Sequence, residues 1–200
     1  MSEVSAERLF PVFLKLTGRN VLVAGGGRVA ASKLASLREA GARVTVVAPD
    51  IAPEIESASV RLIRRGFRTA DLDSVWFVVA AATPAVNRIV ARAADRRRIF
   101  VNAVDDPPNA SAYLGGIVRR DDVTVAISTN GRAPALAGLL REAFDALLPA
   151  DLDRWLTRAD VMRRQWRRTR VPMDARRPQL LAALERLYAA RDARGPGVRA

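Results

Sequence analysis

The sequence predicts an α/β fold with a doubly wound, mainly parallel sheet. Short apolar segments of strand length alternate with segments of helical periodicity between residues 20 and 148, and this alternation is typical of βαβ units. A glycine-rich turn joins the first apolar segment to the first helical one. After residue 149 only helical periodicity continues, with apolar residues interleaved with arginines. We therefore predict two domains, the first over residues 1–149 and a small helical one over residues 150–200.

The glycine-rich turn follows residues 21–24, which are apolar without alternation, as in a strand covered on both faces. Gly25, Gly27 and Ala30 match the spacing G-x-G-x-x-A of a dinucleotide-binding turn. In that motif the first glycine permits the tight turn, the second lets a pyrophosphate approach the backbone, and the alanine lets the helix pack closely on the strand. A second apolar segment at residues 42–48 follows at βαβ distance. This context predicts a Rossmann-like domain that binds a dinucleotide; the alternative is a turn without a ligand.

The remaining elements can be placed in order along the chain. Residues 9–16 are apolar and predict either a short strand or an extended lead-in. Gly41 is expected to follow the first helix as its C′ residue. Thr83 and Pro84 are expected to begin a later helix as its N-cap and first helical residue. Helices are predicted at residues 29–40, 84–97 and 134–148, and strands at residues 42–48, 60–63, 76–82, 99–104, 117–119 and 123–127.

The tail beyond residue 150 predicts two helices. The first carries apolar residues from Leu152 to Trp166, and a proline-bounded break at residues 171–178 separates it from a second helix at residues 179–191. Two helices cannot enclose a core of their own, so they must dock on the first domain or on another subunit. We expect a homodimerisation region that also covers the substrate, and an arginine-rich arm for nucleic acid around Trp166 is the alternative. The end of the chain, at residues 194–197, is expected to be disordered.

Composition restricts the chemistry and the partners. The chain contains no Cys and no His, which excludes disulfides, cysteine nucleophiles, imidazole bases and the usual zinc sites, so no metal site is predicted. The formal net charge of +12 predicts an anionic partner, either nucleic acid or a small polyanion, unless the arginines only form a solvated surface. The first residues resemble no signal peptide, and no apolar run has transmembrane length. We therefore expect a cytoplasmic protein that does not bind membranes.

Ligands of doubly wound sheets lie beyond the carboxyl ends of the strands, and several polar residues are predicted to converge there. Asp50 follows the second strand, where an acid often binds the ribose hydroxyls of NAD; otherwise it caps the next turn. Asp105 follows a later strand and is the candidate general base, because a chain without histidine needs a carboxylate for this role; the alternative is an ordinary turn. Ser128 and Thr129 stand at a helix entrance, where they either bind a substrate carboxylate or cap the helix.

The motifs also carry a family resemblance, because they occur together in a particular order and spacing. The matching segments are residues 9–14, 21–33, 41–49, 81–83 with Asn87, 101–107 and 126–134. Through these segments the chain resembles the precorrin-2 dehydrogenase and sirohydrochlorin ferrochelatase family, also called the siroheme synthase amino-terminal domain. The resemblance extends to Pro149, and the tail is more loosely similar to the dimerisation region of the family.

The resemblance implies NAD-dependent oxidation of precorrin-2 to sirohydrochlorin, with iron insertion to give siroheme in some relatives. The implied catalytic residue is Asp105. The implied substrate is a polycarboxylate tetrapyrrole, which gives the positive charge a role that does not involve nucleic acid. The implied cofactor contacts are Gly25, Gly26, Gly27, Arg28, Val29, Pro49, Asp50, Ala82, Thr83 and Asn102. The loop expected to bind the substrate consists of Ser128, Thr129, Asn130, Gly131 and Arg132.

Residues 111–116 depart from the family pattern. Ala112 stands where the family usually has Phe, and Gly115 stands where it has Pro. Nearby, Arg119 occupies a position that is commonly acidic. These positions border the expected tetrapyrrole pocket, so the changes affect substrate binding. The alternative function is therefore a Rossmann module that senses NAD(H) without tetrapyrrole chemistry.

Overall fold

The computed structural model describes residues 8–192, with side chains described to residue 187. Residues 194–197, for which disorder is predicted, lie outside this range. The chain forms two compact units. The first contains the residues up to Gly115 together with Ser128–Pro134, and the second contains Gly116–Ile127 and the residues from Ala135 onward. The predicted domain boundary at residue 149 stays a prediction.

Strands and helices alternate through the first part of the chain. They are β1 (Asn20–Ala24), α1 (Arg28–Glu39), β2 (Arg43–Ala48), α2 (Pro53–Glu56), β3 (Arg61–Arg64), β4 (Phe77–Ala80), α3 (Pro84–Asp95) and β5 (Phe100–Ala103), with 3₁₀ turns at Thr69–Leu72 and Pro107–Asn109. The elements that follow are β6 (Gly116–Arg120), β7 (Val123–Ile127), α4 (Pro134–Leu147), α5 (Leu152–Thr169) and α6 (Met173–Asp192). Within residues 8–192, no helix is both long enough and apolar enough to cross a membrane.

The first unit is built on a five-stranded sheet in the order β3-β2-β1-β4-β5. All four strand pairings are parallel, so the strands all end at the same edge of the sheet. The strand order reverses direction at β1, which places the ligand crevice of such a sheet between the carboxyl ends of β1 and β4. The predicted doubly wound, parallel fold is confirmed.

Apolar side chains cover both faces of this sheet. Leu22 packs with Val78 and Val90 in one buried cluster, and its neighbour Val23 packs with Leu34 in the other. Because successive strand residues point to opposite faces, the continuous apolar run of β1 supplies both clusters. Each such side chain contributes about 1.5–3 kcal/mol when it is fully buried, and the two clusters hold the strand ends in place.

The first helix ends as predicted. Gly41 follows α1 with φ +72°, and its N–H donates to the Arg38 carbonyl at 2.9 Å. The N–H of Ala42 donates to the Leu37 carbonyl at 3.1 Å. These two bonds form a Schellman motif, in which the left-handed residue is most often glycine.

The structure decides two predictions about irregular segments. Residues 9–16 form the predicted lead-in to β1 and no strand. The predicted break at residues 171–178 is wrong, because α6 begins at Met173 and contains Pro178. Arg170, with φ +54°, ends α5, and the Arg176 guanidinium donates to the Val171 carbonyl at 3.0 and 2.9 Å. Only residues 170–172 separate the two helices. Pro178, the sixth residue of α6, has no N–H and so removes one hydrogen bond from the early part of this helix.

The second unit combines a hairpin with helices. β6 and β7 pair antiparallel as a two-stranded sheet, so they do not extend the parallel sheet. Gly116 of the hairpin lies against α4, where an added Cβ would be 2.9 Å from the Ala137 carbonyl oxygen. The Arg120 guanidinium donates to the Asp145 carboxylate at 2.8 Å. In the helical pair that follows, the Trp166 indole N–H donates to Gln179 Oε1 at 2.7 Å.

Candidate functional site

The candidate site lies at the carboxyl edge of the parallel sheet, where the loops after β1, β2, β4 and β5 meet. The glycine turn at residues 25–27 contacts two of these loops. An added Cβ on Gly25 would be 2.2 Å from the Ala81 carbonyl oxygen, and one on Gly26 would be 2.0 Å from the Asp50 carbonyl oxygen. Gly25 also has φ +129°, a conformation that side chains rarely tolerate. The backbones of the loops after β1, β2 and β4 therefore interlock, meaning that they touch at Gly25 and Gly26 with no room for a side chain.

Hydrogen bonds hold the interlocked loops together. The Gly25 N–H donates to the Val47 carbonyl at 3.0 Å, and the Ala52 N–H donates to the Gly26 carbonyl at 2.7 Å. The Ala81 N–H donates to the Ala24 carbonyl at 2.8 Å. The turn is thus fixed by the ends of its neighbouring strands.

Gly27 differs from the two glycines before it, because an added Cβ would meet no protein atom within 4 Å. It is the N-cap of α1, and no side chain caps this helix end. The first three N–H groups of a helix have no partner inside the helix, so those of Arg28, Val29 and Ala30 face this open space together with the positive end of the helix dipole. The side chain of Ala30 is fully buried, as the motif requires. These features fit a pyrophosphate at Gly27.

The predicted ribose-binding segment lies beside the turn. Pro49 and Asp50 are exposed at the end of β2, and the backbone of Asp50 contacts Gly26 as described above. Its carboxylate is therefore attached to the same rigid loop cluster that would hold the pyrophosphate.

The loop after β4 contains Ala82 and Thr83, both predicted cofactor contacts. Thr83 is the N-cap residue of α3 and Pro84 is its first residue, as predicted, although the Thr83 side chain makes no capping hydrogen bond. Asn87, four residues further on, binds the loop before the helix, because its Oδ1 accepts a hydrogen bond from the Ala82 N–H at 3.0 Å. The sequence offered two signals for Asn87. It belongs to the family motif with residues 81–83, and it is a polar residue on the apolar face that α3 shows at Val90 and Ala94.

Asn102 lies within β5, and its side chain is 7% exposed. Its Nδ2 donates to the Ala112 carbonyl at 3.0 Å, while the Val101 N–H donates to Ser111 Oγ at 2.9 Å. These two hydrogen bonds hold residues 111–116, the segment that departs from the family pattern, next to β5. A contact between Asn102 and the cofactor stays a prediction.

Two adjacent carboxylates after β5 have different surroundings. Asp105 is exposed and has φ +55°, a left-handed conformation that Asp and Asn adopt more readily than most residues. The carboxylate of Asp106 accepts hydrogen bonds from Asn109 Nδ2, at 2.9 Å to each oxygen. Asp105 is therefore the one of the two whose carboxylate faces solvent at this edge, as its predicted role as a base requires.

The predicted substrate loop lies against the loop that carries Asp105. Gly131 has φ +72°, and an added Cβ would be 3.2 Å from Pro107 Cγ and 3.3 Å from Tyr113 Cε1. Tyr113 in turn donates from its hydroxyl to the Pro107 carbonyl at 3.3 Å. The structure therefore brings Asp105 and the loop at residues 128–132 to the same side of the first unit.

The side chains of the substrate loop are partly used within the loop itself. Thr129 Oγ1 donates to the Ala133 carbonyl at 3.1 Å and accepts from the Ala133 N–H at 3.3 Å. Ser128 Oγ accepts from the Asn130 N–H at 3.1 Å. Arg132 is exposed. Both hydroxyls thus shape the loop, and Arg132 is its cationic side chain.

Metal-ligating side chains do not cluster at this edge. Among the residues whose positions are described, no group of three or more Asp, Glu, His or Cys could hold a metal ion. The site therefore consists of backbone donors, exposed carboxylates and arginines.

Two known protein families match consecutive segments of the chain. A family model described as putative NAD(P)-binding matches residues 12–116. The chain belongs to this NAD(P)-binding family. A second family model, described as sirohaem biosynthesis protein central, matches residues 120–146. The predicted use of a nicotinamide dinucleotide agrees with the family.

Curated relatives of this NAD(P)-binding chain are siroheme synthases. Siroheme synthase 1 of Cronobacter sakazakii is 46% identical over 149 residues, which are 72% of this chain and 32% of the relative. Siroheme synthase 3 of Aeromonas hydrophila is 43% identical over 147 residues, which are 71% of this chain and 31% of the relative. The chain therefore spans a minor part of the length of these relatives.

A solved structure shares the fold over most of both chains. It is described as SirC, precorrin-2 dehydrogenase, and it matches with a TM-score of 0.67 and 27% sequence identity over 87% of this chain and 88% of that chain. The resemblance to the siroheme synthase family that the sequence motifs predict is confirmed.

Proposed function

We propose that this chain catalyses the NAD-dependent oxidation of precorrin-2 to sirohydrochlorin. The observation that carries the proposal is the exposed carboxylate of Asp105, which follows β5 at the same edge of the sheet as the glycine turn. The similarity to SirC, described as a precorrin-2 dehydrogenase, supports the choice of substrate. We further propose a cytoplasmic location, because a chain without cysteine suits a reducing compartment.

The proposed oxidation removes one hydride and one proton from the tetrapyrrole. When bound, NAD supplies the hydride acceptor. Asp105 takes the proton as its carboxylate and then releases it to solvent, to which the side chain is exposed. Each precorrin-2 and NAD⁺ thus give sirohydrochlorin, NADH and one proton, and no further oxidant is needed.

The loop cluster around the glycine turn would hold the cofactor. The N–H groups at the start of α1 would bind the pyrophosphate at Gly27. Asp50 would accept hydrogen bonds from the ribose hydroxyls and repel a 2′-phosphate, which favours NAD over NADP. Ala82, Thr83 and Asn102 would line the remaining part of the crevice.

The loop at residues 128–132 would hold the tetrapyrrole carboxylates next to Asp105. Arg132 is exposed on this loop, and a guanidinium binds a carboxylate with two parallel hydrogen bonds. The high positive charge of the chain would attract such a polyanion. Iron insertion is a further step that the same carboxylate would assist, because insertion releases two pyrrole protons.

An anaerobic assay tests the proposal. The full chain is mixed with NAD and precorrin-2, and sirohydrochlorin formation is followed by visible absorbance, before and after ferrous iron is added. We expect an NAD-dependent product spectrum. Tight NAD binding without any product would favour the alternative, a module that senses NAD(H).

We also propose that the protein is a homodimer and that α4 contributes to the interface. Five large apolar side chains of this helix are exposed, at Leu136, Leu139, Leu140, Phe144 and Leu147. They recur at helical spacing, so they form one stripe. A contiguous apolar stripe of this kind marks an interface more often than a free surface, and a second copy of the chain offers a matching stripe.

A further inference from the structure

The loop between β4 and α3 contains a buried polar contact that the proposed chemistry does not use. Asn87 is the fourth residue of α3, its side chain is 3% exposed, and its Oδ1 accepts a hydrogen bond from the Ala82 N–H at 3.0 Å. Among the side chains that the structure describes, only Asn87 and Asn102 are both polar and buried. Each of them bonds to the backbone of a loop at the carboxyl edge of the sheet.

The surroundings of Asn87 are apolar. Val90, Ala91 and Ala94 of the same helix belong to the buried cluster on this face of the sheet. Burying a carboxamide among such side chains is unfavourable unless its polar atoms are bonded. The bond to Ala82 is therefore the feature that an apolar residue at this position could not provide.

The bond acts on the peptide group that contacts the glycine turn. The carbonyl of Ala81 and the N–H of Ala82 belong to one planar peptide group. Asn87 holds the N–H of this group, and its carbonyl oxygen lies 2.2 Å from the position of an added Cβ on Gly25. Because the group is rigid, fixing its N–H also fixes the orientation of its carbonyl against Gly25.

We propose that Asn87 is a positioning residue for the dinucleotide. By holding the peptide group between Ala81 and Ala82 against Gly25, it keeps the glycine turn in the shape that presents Gly27 to the pyrophosphate. Asn87 acts through this peptide group and does not touch the cofactor. The inference rests on the proposed NAD binding.

Two substitutions separate the hydrogen bond from the packing of the side chain. Asn87→Leu keeps a branched side chain of similar size but removes the acceptor, whereas Asn87→Asp keeps an oxygen that accepts the bond. The buried carboxylate lowers stability, but it keeps the acceptor that the proposal requires. Asn20→Ala is the matched control, because Asn20 Nδ2 donates to the Ser74 carbonyl at 3.3 Å, a similar loop contact at the opposite edge of the sheet.

The readouts are the Kd for NAD by calorimetry and the KM for NAD and kcat with precorrin-2. For Asn87→Leu we expect Kd and KM to rise about tenfold, the size expected for one buried hydrogen bond, with kcat little changed. Asn87→Asp is expected to melt at a lower temperature, because it buries a charge, but to keep Kd and KM close to those of the wild type; Asn20→Ala is expected to keep the wild-type Kd and KM. A purely structural role would lower the melting temperature of Asn87→Leu and leave the KM of the folded protein unchanged.

The outcomes distinguish this inference from the proposed function. If the wild-type chain does not bind NAD, the proposed function fails first. If the wild type binds NAD and Asn87→Leu binds it equally well, the positioning role is overturned. Should Asn87→Leu fail to fold, Asn87→Ser replaces it, because its hydroxyl is too short to reach Ala82, and the same rise in Kd is expected.

Discussion

The carbonyl oxygen of Ala81 occupies the space that a side chain on Gly25 would need. The distance from this oxygen to an added Cβ is 2.2 Å, and Gly25 has φ +129°. Steric exclusion and backbone conformation therefore both require glycine here. The contact joins the loop after β4 to the turn after β1, on the two sides of the crevice where the strand order reverses.

Gly25→Ala is expected to destabilise the fold strongly. The methyl group would collide with rigid backbone, and the residue would be strained as well, at a combined cost of roughly 3 kcal/mol or more. Thermal or chemical unfolding of the variant measures this loss. A melting temperature equal to that of the wild type would show that the loops do not interlock as described.

Gly27→Ala is expected to separate cofactor binding from stability. An added Cβ meets no protein atom within 4 Å, and the backbone has φ −87°, so the variant should fold with nearly unchanged stability. The methyl group would lie where the pyrophosphate must approach, and we expect the Kd for NAD to rise at least about tenfold. Calorimetric titration measures it, and an unchanged Kd would place the cofactor elsewhere.

Asp105→Asn is expected to lower kcat severely while leaving NAD binding intact. Asn adopts the left-handed conformation of this position as readily as Asp, so the change removes the carboxylate without adding backbone strain. Loss of a general base typically lowers kcat by about 10²–10⁴-fold. Asp106→Asn is the matched control, because that carboxylate is bonded to Asn109. Wild-type turnover in Asp105→Asn would remove the residue from this role.

The ion pair between Arg65 and Asp71 is expected to stabilise the fold at neutral pH and to weaken in acid. Two hydrogen bonds, 2.8 and 2.6 Å long, join the guanidinium to the carboxylate. The Arg65 side chain, with help from the Arg68 N–H, lowers the pKa of Asp71. The stabilisation is therefore complete above the ordinary pKa of an aspartate and is lost as the pH falls through the lowered value.

The comparison of wild type with Asp71→Asn tests this pH dependence. The difference in unfolding free energy should be largest at neutral pH and shrink as the solution becomes more acidic. Asp73→Asn is the control, because the Asp73 side chain is 69% exposed and lies 3.5 Å from its partner Arg97. A difference for Asp71→Asn that does not vary with pH would contradict the ion-pair explanation.

Leu139→Glu is expected to disrupt the proposed dimer. Leu139 is 65% exposed at the centre of the apolar stripe of α4, and a buried unpaired charge at an interface is strongly unfavourable. Light scattering after size-exclusion chromatography measures the mass, which should fall to that of one chain. Ile89→Glu alters a similarly exposed apolar side chain on α3, outside both α4 and the tail, and should leave the mass unchanged. A dimer that survives Leu139→Glu would require another interface.

Several features of the site followed from local sequence alone. The spacing of Gly25, Gly27 and Ala30 predicts the strand, turn and helix that the structure contains, because few residues tolerate such close backbone approach. Gly41 predicts the end of α1 for the same conformational reason. The position of Asp105 at a strand end follows from the alternation of strands and helices.

Other features became visible only in the folded chain. Thr83 is the N-cap residue of α3, as predicted, but its side chain makes no capping hydrogen bond, and only the folded loop shows that Asn87 Oδ1 reaches the Ala82 N–H. Pro178 looked like a helix boundary, but it lies inside α6. Helix propensities describe a residue and its immediate neighbours. They do not show which side chain reaches a given backbone group, because tertiary contacts decide this and can override the local preference.

What the sequence determined by itself is the order of strands and helices and the residue types at their ends, because hydrophobic period and glycine spacing are local properties. The tertiary structure alone decided that the backbones of Ala81 and Asp50 close on the glycine turn, and that the peptide group held by Asn87 therefore meets Gly25. These relationships join residues from different loops. They exist only once the parallel strands bring those loops to one edge of the sheet.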